Sequence, residues 1–313
     1  MNFNENDIRI NNHYNCYQCA IEEAAKIHGV EYRMLGIGTC NFNYVRDNDL
    51  IGKRIRPHFF RDSKAWRKYS RISTEAIDCS NLDKEKLRYL LNEYGVLMAY
   101  GDVYDCPWTK VYQQNRNFHV FLIVGYKETT NTFQVIDTYM GSGILECSID
   151  NIAGKISGLR LFDIHPEPMY SKEEFIGEIK KDALFYFENE SDKCMSDFIS
   201  DMNNTFDFDK EIISFAGNPY TTALTSNLDM LLRNRKGYQI LLSYCEEIFK
   251  QEQWTACGEM IKNVINSISK IKMELLKAGT RKRYTDANKR VLSDELLAWR
   301  DTEIKLMKSL LKV

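Results

Sequence analysis

The sequence predicts an α+β domain with an antiparallel sheet over residues 1–165, followed by an all-helical domain over residues 169–313. In the first part, an apolar run and an alternating run around residue 125, joined by a polar turn, predict a β-hairpin. An apolar stripe at helical spacing predicts an amphipathic helix that begins near residue 16. Two prolines near residue 167 end this mixed pattern, and helical periodicity dominates beyond them.

The predicted hairpin spans residues 117–137. Its first arm, His119–Tyr126, is a continuous run of mostly β-branched and aromatic residues, as expected for a strand that is buried on both faces. The second arm, Thr132–Asp137, alternates apolar and polar residues. Because the outer ends of an antiparallel pair meet at one end of the sheet, His119 and Asp137 are expected to lie side by side. A carboxylate beside an imidazole fixes its tautomer and stabilises its protonated form.

The first helix is predicted at Cys16–His28. Cys16 lies in the first turn, where unpaired backbone amides and the helix dipole favour a thiolate. Cys19 lies one turn further along, on the apolar stripe, and is expected to be buried. Cys16 is therefore the preferred nucleophile and Cys19 its rival. Asn15 precedes the helix at a capping position.

Composition and charge narrow the classes of function. The chain has 313 residues, of which 44% are apolar and 27% are charged, as in soluble globular proteins. Its net charge of −2 gives no reason to expect nucleic acid or an anionic membrane as a partner. We expect no signal peptide, because the first residues are polar, and no membrane span, because no apolar run is long enough. Nine scattered cysteines predict free thiols in a reducing compartment, and hence a cytoplasmic location.

Two segments between the first helix and the hairpin carry distinctive residues. In Leu35–Tyr44, Gly36 and Gly38 suggest close backbone approach, and we take both as candidate substrate-binding residues. The segment does not fit the phosphate-binding pattern GxGxxG, since position 41 is Asn. Residues 46–71 are basic and aromatic. They either bind an acidic partner or form a solvated segment over the sheet, and solvated faces are the commoner fate of charge runs.

A short helix is predicted at Asp83–Tyr94, and a buried strand follows at Val96–Tyr100. The polar and aromatic loop GDVYDCPW comes next, at a strand end where loops carry function. Its first carboxylate, Asp102, has two interpretations that stay open. It could bind the ammonium group of a substrate, or it could cap the loop through backbone amides.

The second domain is predicted to consist of long helices. A basic stretch, Lys277–Arg290, holds six cationic residues against one Asp. It could dock an acidic partner, or it could be a solvated loop between helices. The predicted helices are Ser171–Phe187, Asn227–Phe249, Thr255–Lys277 and Ser293–Lys312.

A cysteine at a helix start, followed much later by a His strand and an Asp strand, is the chain order of papain-like enzymes. In such a triad the thiolate attacks an acyl carbon, the imidazole transfers the proton and the carboxylate orients the imidazole. The alternative is a buried structural His119 and an inert Cys16, but the three features together favour catalysis. His13 is a rival base, which we expect to be a loop residue.

Several segments resemble a known family: HYNCYQCAIEEAAKIHG, LGIGTCNFNY, GVLMAYGDVYDCPW, and NFHVFLIVGY with FQVIDT. They look like the N-terminal domain of the butirosin-biosynthesis BtrH type, a branch of the C39-like, papain-fold cysteine peptidases. The resemblance covers about residues 10–165. It implies that Cys16 is the nucleophile, His119 the base and Asp137 the orienting carboxylate. The family's strand-end Asp corresponds to Asp102, with Tyr104 and Pro107 after it, so Asp102 and Tyr104 become candidate substrate-binding residues.

The resemblance implies acyl transfer more than proteolysis. An acyl or aminoacyl group would pass from the thioester of an acyl or peptidyl carrier protein, through a cysteinyl thioester, to a small-molecule amine, in the biosynthesis of an antibiotic or related natural product. The enzyme would need no cofactor of its own, because the carrier brings its phosphopantetheine. Two alternatives stay open: a cysteine peptidase or amidase with water as acceptor, and a catalytically silent binding module.

One position departs from the family pattern. Peptidases of this fold usually carry a Gln six residues before the nucleophile, which supplies an oxyanion-hole donor, and here that position is Ile10. Asn11, Asn12 or Asn15 could substitute for it, or the Cys16 amide could act with another donor. Ordinary peptide hydrolysis is therefore less expected than transfer. We include Asn15 among the candidate substrate-binding residues.

Overall fold

The computed structural model describes residues 8–56, 70–79, 82–148, 154–165, 170–213 and 219–313. The chain divides into two compact units. The first is formed by the described parts of Met1–Met34 and Trp66–Met169, and the second by those of Leu35–Ala65 and Tyr170–Val313. The division between Met169 and Tyr170 lies close to the predicted domain boundary, but residues 35–56 group with the helices. The prolines of the predicted linker lie outside the described residues.

The first unit contains a six-stranded sheet. The strands are β1 Ile72–Ile77, β2 Leu97–Asp102, β3 Phe118–Lys127, β4 Thr132–Ile136, β5 Leu145–Ser148 and β6 Gly158–Ile164. They lie in the order β1–β6–β2–β3–β4–β5, and each neighbouring pair is antiparallel. The predicted α+β class and antiparallel sheet are confirmed. Strands β1 and β6 have no counterpart among the predicted strands.

The α-helices of the described chain are α1 Cys16–His28, α2 Ile51–Arg54, α3 Lys84–Tyr94, α4 Lys172–Glu188, α5 Ser191–Asn204, α6 Ala223–Phe249, α7 Glu252–Arg281 and α8 Asp286–Leu310. Helices α1 and α3 pack on the sheet. Helix α3 buries Leu87 and Leu91 in one core with Phe121 and Ile123 of β3. Side chains alternate between the two faces of a strand, so Val120 points to the face of β3 opposite Phe121 and Ile123. Helix α1 also contacts this strand.

The second unit is a helical region in which α7 packs between α6 and α8. The four predicted helices are confirmed, and the observed helices differ from the predicted ones by up to seven residues at their ends. Helix α5 has no predicted counterpart, because its sequence is mostly polar, although six of its fourteen residues are buried. They include Met195, Phe198 and Ile199. In the described part of the chain, no helix has both the length and the apolar character that crossing a membrane requires.

Residues 35–56 are held within the helical unit by a buried ion pair. The guanidinium of Arg235 lies 2.6 Å from the carboxylate of Glu303, and both side chains are fully buried. The same guanidinium donates to the carbonyl oxygens of Thr39, at 3.3 Å, and Cys40, at 2.9 Å. The Arg235 guanidinium therefore pairs with Glu303 and also provides hydrogen-bond donors for two backbone carbonyl groups of this segment.

The expected position of residues 46–71 over the sheet is wrong for residues 46–56, which group with the helical unit, although residues 46–49, 53 and 56 are exposed as expected for a solvated segment. Arg46 and Arg54 both pair with the carboxylate of Asp201 on α5, at 2.9 and 3.0 Å. Ile51 and Ile55 are buried, and α2 packs on α6. The run is therefore anchored because its cations meet a buried carboxylate and its apolar residues meet a helix. Residues 57–69 of the stretch lie outside the described residues.

Candidate active site

Cys16 is the first residue of α1, and a capping box sets the start of this helix. The Gln18 amide donates to the Asn15 side-chain oxygen at 2.9 Å, and the Asn15 amide donates to the Gln18 side-chain oxygen at 3.3 Å. Cys16 is half-buried in the first helical turn. Cys19 is buried, and its thiol is directed at the carbonyl of Tyr14, 3.7 Å away. This arrangement exposes Cys16 more than its rival.

His119 lies near the start of β3, paired across the ladder with Gly101 of β2. Only 2% of this residue is exposed to solvent. Its Nε2 lies 2.7 Å from Oδ2 of Asp137, and the imidazole also forms a hydrogen bond with the Cys16 thiol. Since Nε2 contacts the carboxylate, Nδ1 is the nitrogen that can exchange a proton with the sulfur. The structure thus brings the three predicted catalytic residues together.

Asp137 directly follows β4. The pairing of Leu122 with Ile136 places Asp137 diagonally across from His119. The carboxylate is buried and accepts two further hydrogen bonds. The indole Nε1 of Trp108 donates to Oδ2 at 2.7 Å, and the Met140 amide donates to Oδ1 at 3.3 Å. The side chain that orients His119 is therefore itself held on both oxygens.

The electrostatics of this cluster favour a charged imidazole. Burial alone lowers the pKa of His119, but its hydrogen bonds with Asp137 and Cys16 and the charges of those two groups outweigh burial and raise the pKa to about 9. A protonated imidazole between a carboxylate and a sulfur stabilises negative charge on that sulfur. A thiolate so placed can attack an acyl carbon, and the imidazolium can protonate the leaving group.

The Asp102 carboxylate contacts backbone amides and one arginine of its own loop. One of its oxygens accepts the backbone N–H groups of Tyr104 and Asn117, each at 2.9 Å, and the other lies 3.4 Å from Arg116. These bonds cap the turn at Val103–Asp105 and lower the pKa of Asp102. The contacts favour the interpretation of Asp102 as a loop cap.

The second substrate-binding candidate of this loop, Tyr104, lies beneath the Arg116 guanidinium, 4.2 Å from ring centroid to cation. The pocket that contains Asp102 is shared with Trp108 and Phe121, so it borders the candidate active site without including Cys16. Neither Asp102 nor Tyr104 makes a described hydrogen bond to the catalytic residues.

The remaining candidates also have local structural roles. Asn15 caps α1 through its side-chain oxygen. Gly36 belongs to the helical unit, where a Cβ would lie 2.5 Å from the carbonyl oxygen of Gly237, so close packing requires glycine. Gly38, in the same unit, has a φ of +82°, a backbone conformation that favours glycine. These surroundings account for both glycines without a ligand.

The structure also describes residues 10–13, which include the position where peptidases of this fold carry their oxyanion-hole Gln. Ile10, at the position where the family carries Gln, is 61% exposed. The Asn11 side chain donates to Glu22 and accepts the His13 amide at 2.8 Å, and Asn12 is exposed. His13, the rival base, is exposed, as expected for a loop residue. The Cys16 amide, which has no acceptor within the helix, is the donor that the local geometry offers.

Sequence reasoning missed Trp108 and Met140, which hold Asp137. Trp108 stands in the quoted loop after β2, and a tryptophan next to a proline in a polar loop was the signal that could have been used. An indole N–H is a donor that usually finds a partner when it is buried. Nothing in the local pattern identifies the Met140 amide.

Comparison with protein-family models and with curated protein sequences identifies no relative. The chain matches no protein-family model, and no curated protein sequence matches it. Within the described ranges, no group of three or more His, Cys, Asp or Glu side chains is arranged to hold a metal ion. The chemistry of the site must therefore be argued from its geometry.

Proposed function

We propose that this protein is an acyltransferase of papain-like fold that uses Cys16 as its nucleophile. It moves an acyl or aminoacyl group from a carrier-protein thioester to a small-molecule amine, in natural-product biosynthesis. The observation that carries the proposal is the buried imidazole of His119, which contacts the Cys16 thiol and lies 2.7 Å from Asp137. A helix headed by the cysteine and packed on the His strand supports the papain-like assignment.

In the first half-reaction, the Cys16 thiolate attacks the carbonyl carbon of the donor thioester. The tetrahedral oxyanion accepts a hydrogen bond from the Cys16 backbone amide. As the intermediate collapses, the carbon–sulfur bond to the donor breaks, and the imidazolium of His119 gives its proton to the leaving thiolate. The products are a cysteinyl thioester, a free donor thiol and a neutral imidazole.

In the second half-reaction, an amine attacks the cysteinyl thioester, and neutral His119 accepts the proton that the amine loses. Collapse of the second intermediate forms the amide and releases the Cys16 thiolate beside the imidazolium. Asp137 accepts donors on both oxygens and holds the imidazole in the orientation in which Nδ1 faces the sulfur.

The amine acceptor and the carrier rest on the resemblance to BtrH-type N-terminal domains. The absence of a Gln donor at Ile10 supports transfer over ordinary peptide hydrolysis. All nine cysteines are free thiols, which supports a reducing, cytoplasmic location. Phosphopantetheine arrives with the carrier, so the protein needs no cofactor of its own.

The exposed cations Arg281, Lys282 and Arg283, where α7 ends, are a docking surface for an acidic carrier. None of the three makes an ion pair with a residue in the described part of the chain, so their charge is available to a partner. The position of these cations at a helix end also leaves them accessible from solvent.

The proposal is tested by trapping the acyl-enzyme. The full chain is incubated with acyl N-acetylcysteamine thioesters, and intact-mass spectrometry follows the mass of the acyl group on the protein. Wild-type protein and Cys19→Ala should become acylated, and Cys16→Ala should not. Peptide mapping should place the acyl group on Cys16.

Addition of a panel of amines then separates the possible outcomes. Formation of an amide supports transfer, whereas release of the free acid alone would identify a hydrolase with the same triad. A protein that no thioester acylates, although Cys16 reacts with iodoacetamide, would support a silent binding module. Equal acylation of Cys16→Ala and the wild-type protein would refute the assignment of the nucleophile.

A further inference from the structure

Helix α1 begins with two cysteines that are separated by two residues, Cys16 and Cys19. This C-x-x-C spacing at a helix start is typical of redox-active cysteine pairs. In the proposed transfer reaction, Cys16 is the nucleophile and Cys19 has no role. Cys19 is therefore a buried nucleophilic group beside the candidate site that acyl transfer leaves unexplained.

Helix geometry brings the two cysteines within disulfide range. An α-helix rises about 1.5 Å per residue on a Cα radius of about 2.3 Å, so Cα atoms three residues apart lie about 5 Å from each other. Cα atoms that a disulfide joins usually lie about 4.4–6.8 Å apart. The Cβ atoms must approach by about 1–2 Å from their helical separation. Cys16 can make this movement, because its amide has no acceptor within the helix, whereas the Cys19 amide donates to the Asn15 carbonyl at 2.9 Å.

The two thiols have the different surroundings that a reactive and a resolving cysteine require. Cys16 and Cys19 line one small pocket, together with Asp137. Cys16 is half-buried, so a small oxidant can reach it from solvent, and its thiol hydrogen-bonds to the His119 imidazole. Cys19 is buried, and its thiol lies 3.7 Å from the Tyr14 carbonyl oxygen, to which a thiol donates weakly. An oxidant therefore meets Cys16 first, with Cys19 held beside it.

Burial makes several other cysteines poor targets for an oxidant, because the thiolate is the reactive form. It raises the pKa of Cys106 to about 12 and the pKa of Cys147 to about 11. In the helical unit, burial raises the pKa of Cys257 to about 11. Oxidation by a mild reagent should therefore begin at Cys16, where the protonated His119 supports negative charge on the sulfur.

We propose that Cys16 and Cys19 form a reversible redox site, in which a hydroperoxide oxidises Cys16 and Cys19 converts the product into an intramolecular disulfide. A reactive, partly exposed cysteine beside a resolving cysteine is the arrangement that redox sensors use. The stabilisation that a disulfide gives to a folded protein grows with the length of the loop that it closes. This disulfide closes a very short loop, so it suits a reversible role better than a structural one.

Two steps form the disulfide. The Cys16 thiolate attacks one oxygen of hydrogen peroxide, the oxygen–oxygen bond breaks, and the departing hydroxide takes the proton of the His119 imidazolium to become water. The product is a sulfenic acid on Cys16. The Cys19 sulfur then attacks the Cys16 sulfur, the sulfur–oxygen bond breaks, and the departing hydroxide combines with the Cys19 proton as a second water. Together the two thiols lose two electrons, which the peroxide bond gains.

Oxidation removes the nucleophile of the proposed transfer reaction. A sulfur in a disulfide cannot attack a thioester, so acylation stops until a dithiol reduces the bond. Dithiols do not reverse further oxidation of Cys16 to the sulfinic or sulfonic acid, and formation of the disulfide competes with that loss. This regulatory consequence rests on the proposed function, whereas the disulfide itself can be detected without acyl transfer.

The test treats the reduced full chain with hydrogen peroxide, removes the peroxide with catalase and then blocks the remaining thiols with iodoacetamide. The tryptic peptide of residues 10–26 contains Cys16, Cys19 and no other cysteine. A disulfide leaves this peptide without alkyl groups and lighter by two hydrogen atoms. A second sample is reduced with dithiothreitol before alkylation. The variants are Cys19→Ala and, as a matched control, Cys79→Ala, which removes another half-buried cysteine of the same unit.

In the wild-type protein and in Cys79→Ala, most of the peptide should carry the disulfide, and dithiothreitol should restore nearly all of the alkylation at Cys16. In Cys19→Ala, Cys16 should proceed to the sulfinic and sulfonic acids, so dithiothreitol should restore about tenfold less alkylation. A wild-type peptide that keeps both thiols, or that gains oxygen on Cys16 without a disulfide, would overturn the redox site. Equal recovery in the wild-type protein and Cys19→Ala would also overturn it. The wild-type mass spectrum identifies the linkage by itself, so that result does not depend on the folding of Cys19→Ala.

Failure of the proposed function gives a different result. If no thioester acylates Cys16 while peroxide forms the disulfide, the redox site stands and the transfer reaction does not. If thioesters acylate Cys16 but peroxide forms no disulfide, the transfer reaction stands and the redox site does not. If both reactions occur, the peroxide-treated protein should resist acylation, and dithiothreitol should restore it.

Discussion

Replacing Trp108 with Phe tests how the site holds its carboxylate. The indole N–H donates at 2.7 Å to the same Asp137 oxygen that contacts His119. The substitution removes this donor and keeps a ring of similar position, which can preserve the edge contact with Phe121, now 5.1 Å between centroids. What remains on the carboxylate is the His119 contact and the Met140 amide at 3.3 Å. The substitution therefore isolates one hydrogen bond.

The magnitude follows from the charge of the acceptor. A hydrogen bond to a charged group contributes about 1.5–3 kcal/mol. If this contribution is needed to keep Asp137 oriented in the transition state, its loss lowers kcat by about 10- to 100-fold and leaves KM nearly unchanged. A carboxylate that turns away from His119 supports the imidazolium less. The pKa of His119, about 9 in the native protein, should therefore fall.

Two measurements check this prediction. Transfer kinetics with a small thioester give kcat and KM, and NMR of the labelled imidazole gives the titration of His119. Trp254→Phe is the matched control, because Trp254 is fully buried in the helical unit and its indole N–H has no acceptor among the described residues. Unchanged kcat together with an unchanged His119 titration in Trp108→Phe would refute the reasoning, even if the variant were less stable.

Three further predictions follow from the same contacts. The raised pKa of His119 should add stability that is complete below pH 6.5 and is lost as the pH rises through about 9; its size, on the order of 3 kcal/mol, is measured by urea unfolding against Asp137→Asn, where the loss should disappear. Asp102→Asn should lower the melting temperature and leave the acceptor KM unchanged, and a raised KM would instead favour acceptor binding. Reversal of Arg281, Lys282 and Arg283 to Glu should slow transfer from a loaded carrier and spare a small thioester; equal loss on both donors would contradict docking at this surface.

The parts of the fold that sequence could predict are those with strong local patterns. The long apolar run of β3 and the alternation in β4 define the hairpin, and Gly29 ends α1 in the left-handed conformation that glycine favours. β6 has a mixed pattern, and β1 follows a long charged stretch, so neither stands out locally. Their pairing with each other depends on residues about ninety positions apart in sequence, which no short window contains.

The basic and aromatic residues 46–71 show the same limit in another form. Their charges indicate solvent exposure when they are considered alone. Asp201, which pairs with Arg46 and Arg54, lies about 150 residues further along the chain. Likewise, Arg235 and Glu303 are ordinary charged residues in sequence, and only packing makes them a buried pair that anchors the Thr39 carbonyl. Long-range charge pairing is thus invisible to patterns within one segment.

In the candidate site, the reactive residues could be predicted from local sequence patterns, whereas the groups that contact them could not. Its reactive groups stand at ends of regular elements: Cys16 at a helix start, His119 near a strand start and Asp137 just after a strand. Element ends leave recognisable local signals, so these residues could be found from sequence. The groups that tune them do not stand at such ends. Trp108 comes from a loop whose path is set by tertiary packing, and it acts through one N–H directed at a residue 29 positions away. Sequence therefore predicts which reactive groups the candidate site contains, whereas the orientation of the carboxylate depends on contacts that exist only in the folded chain.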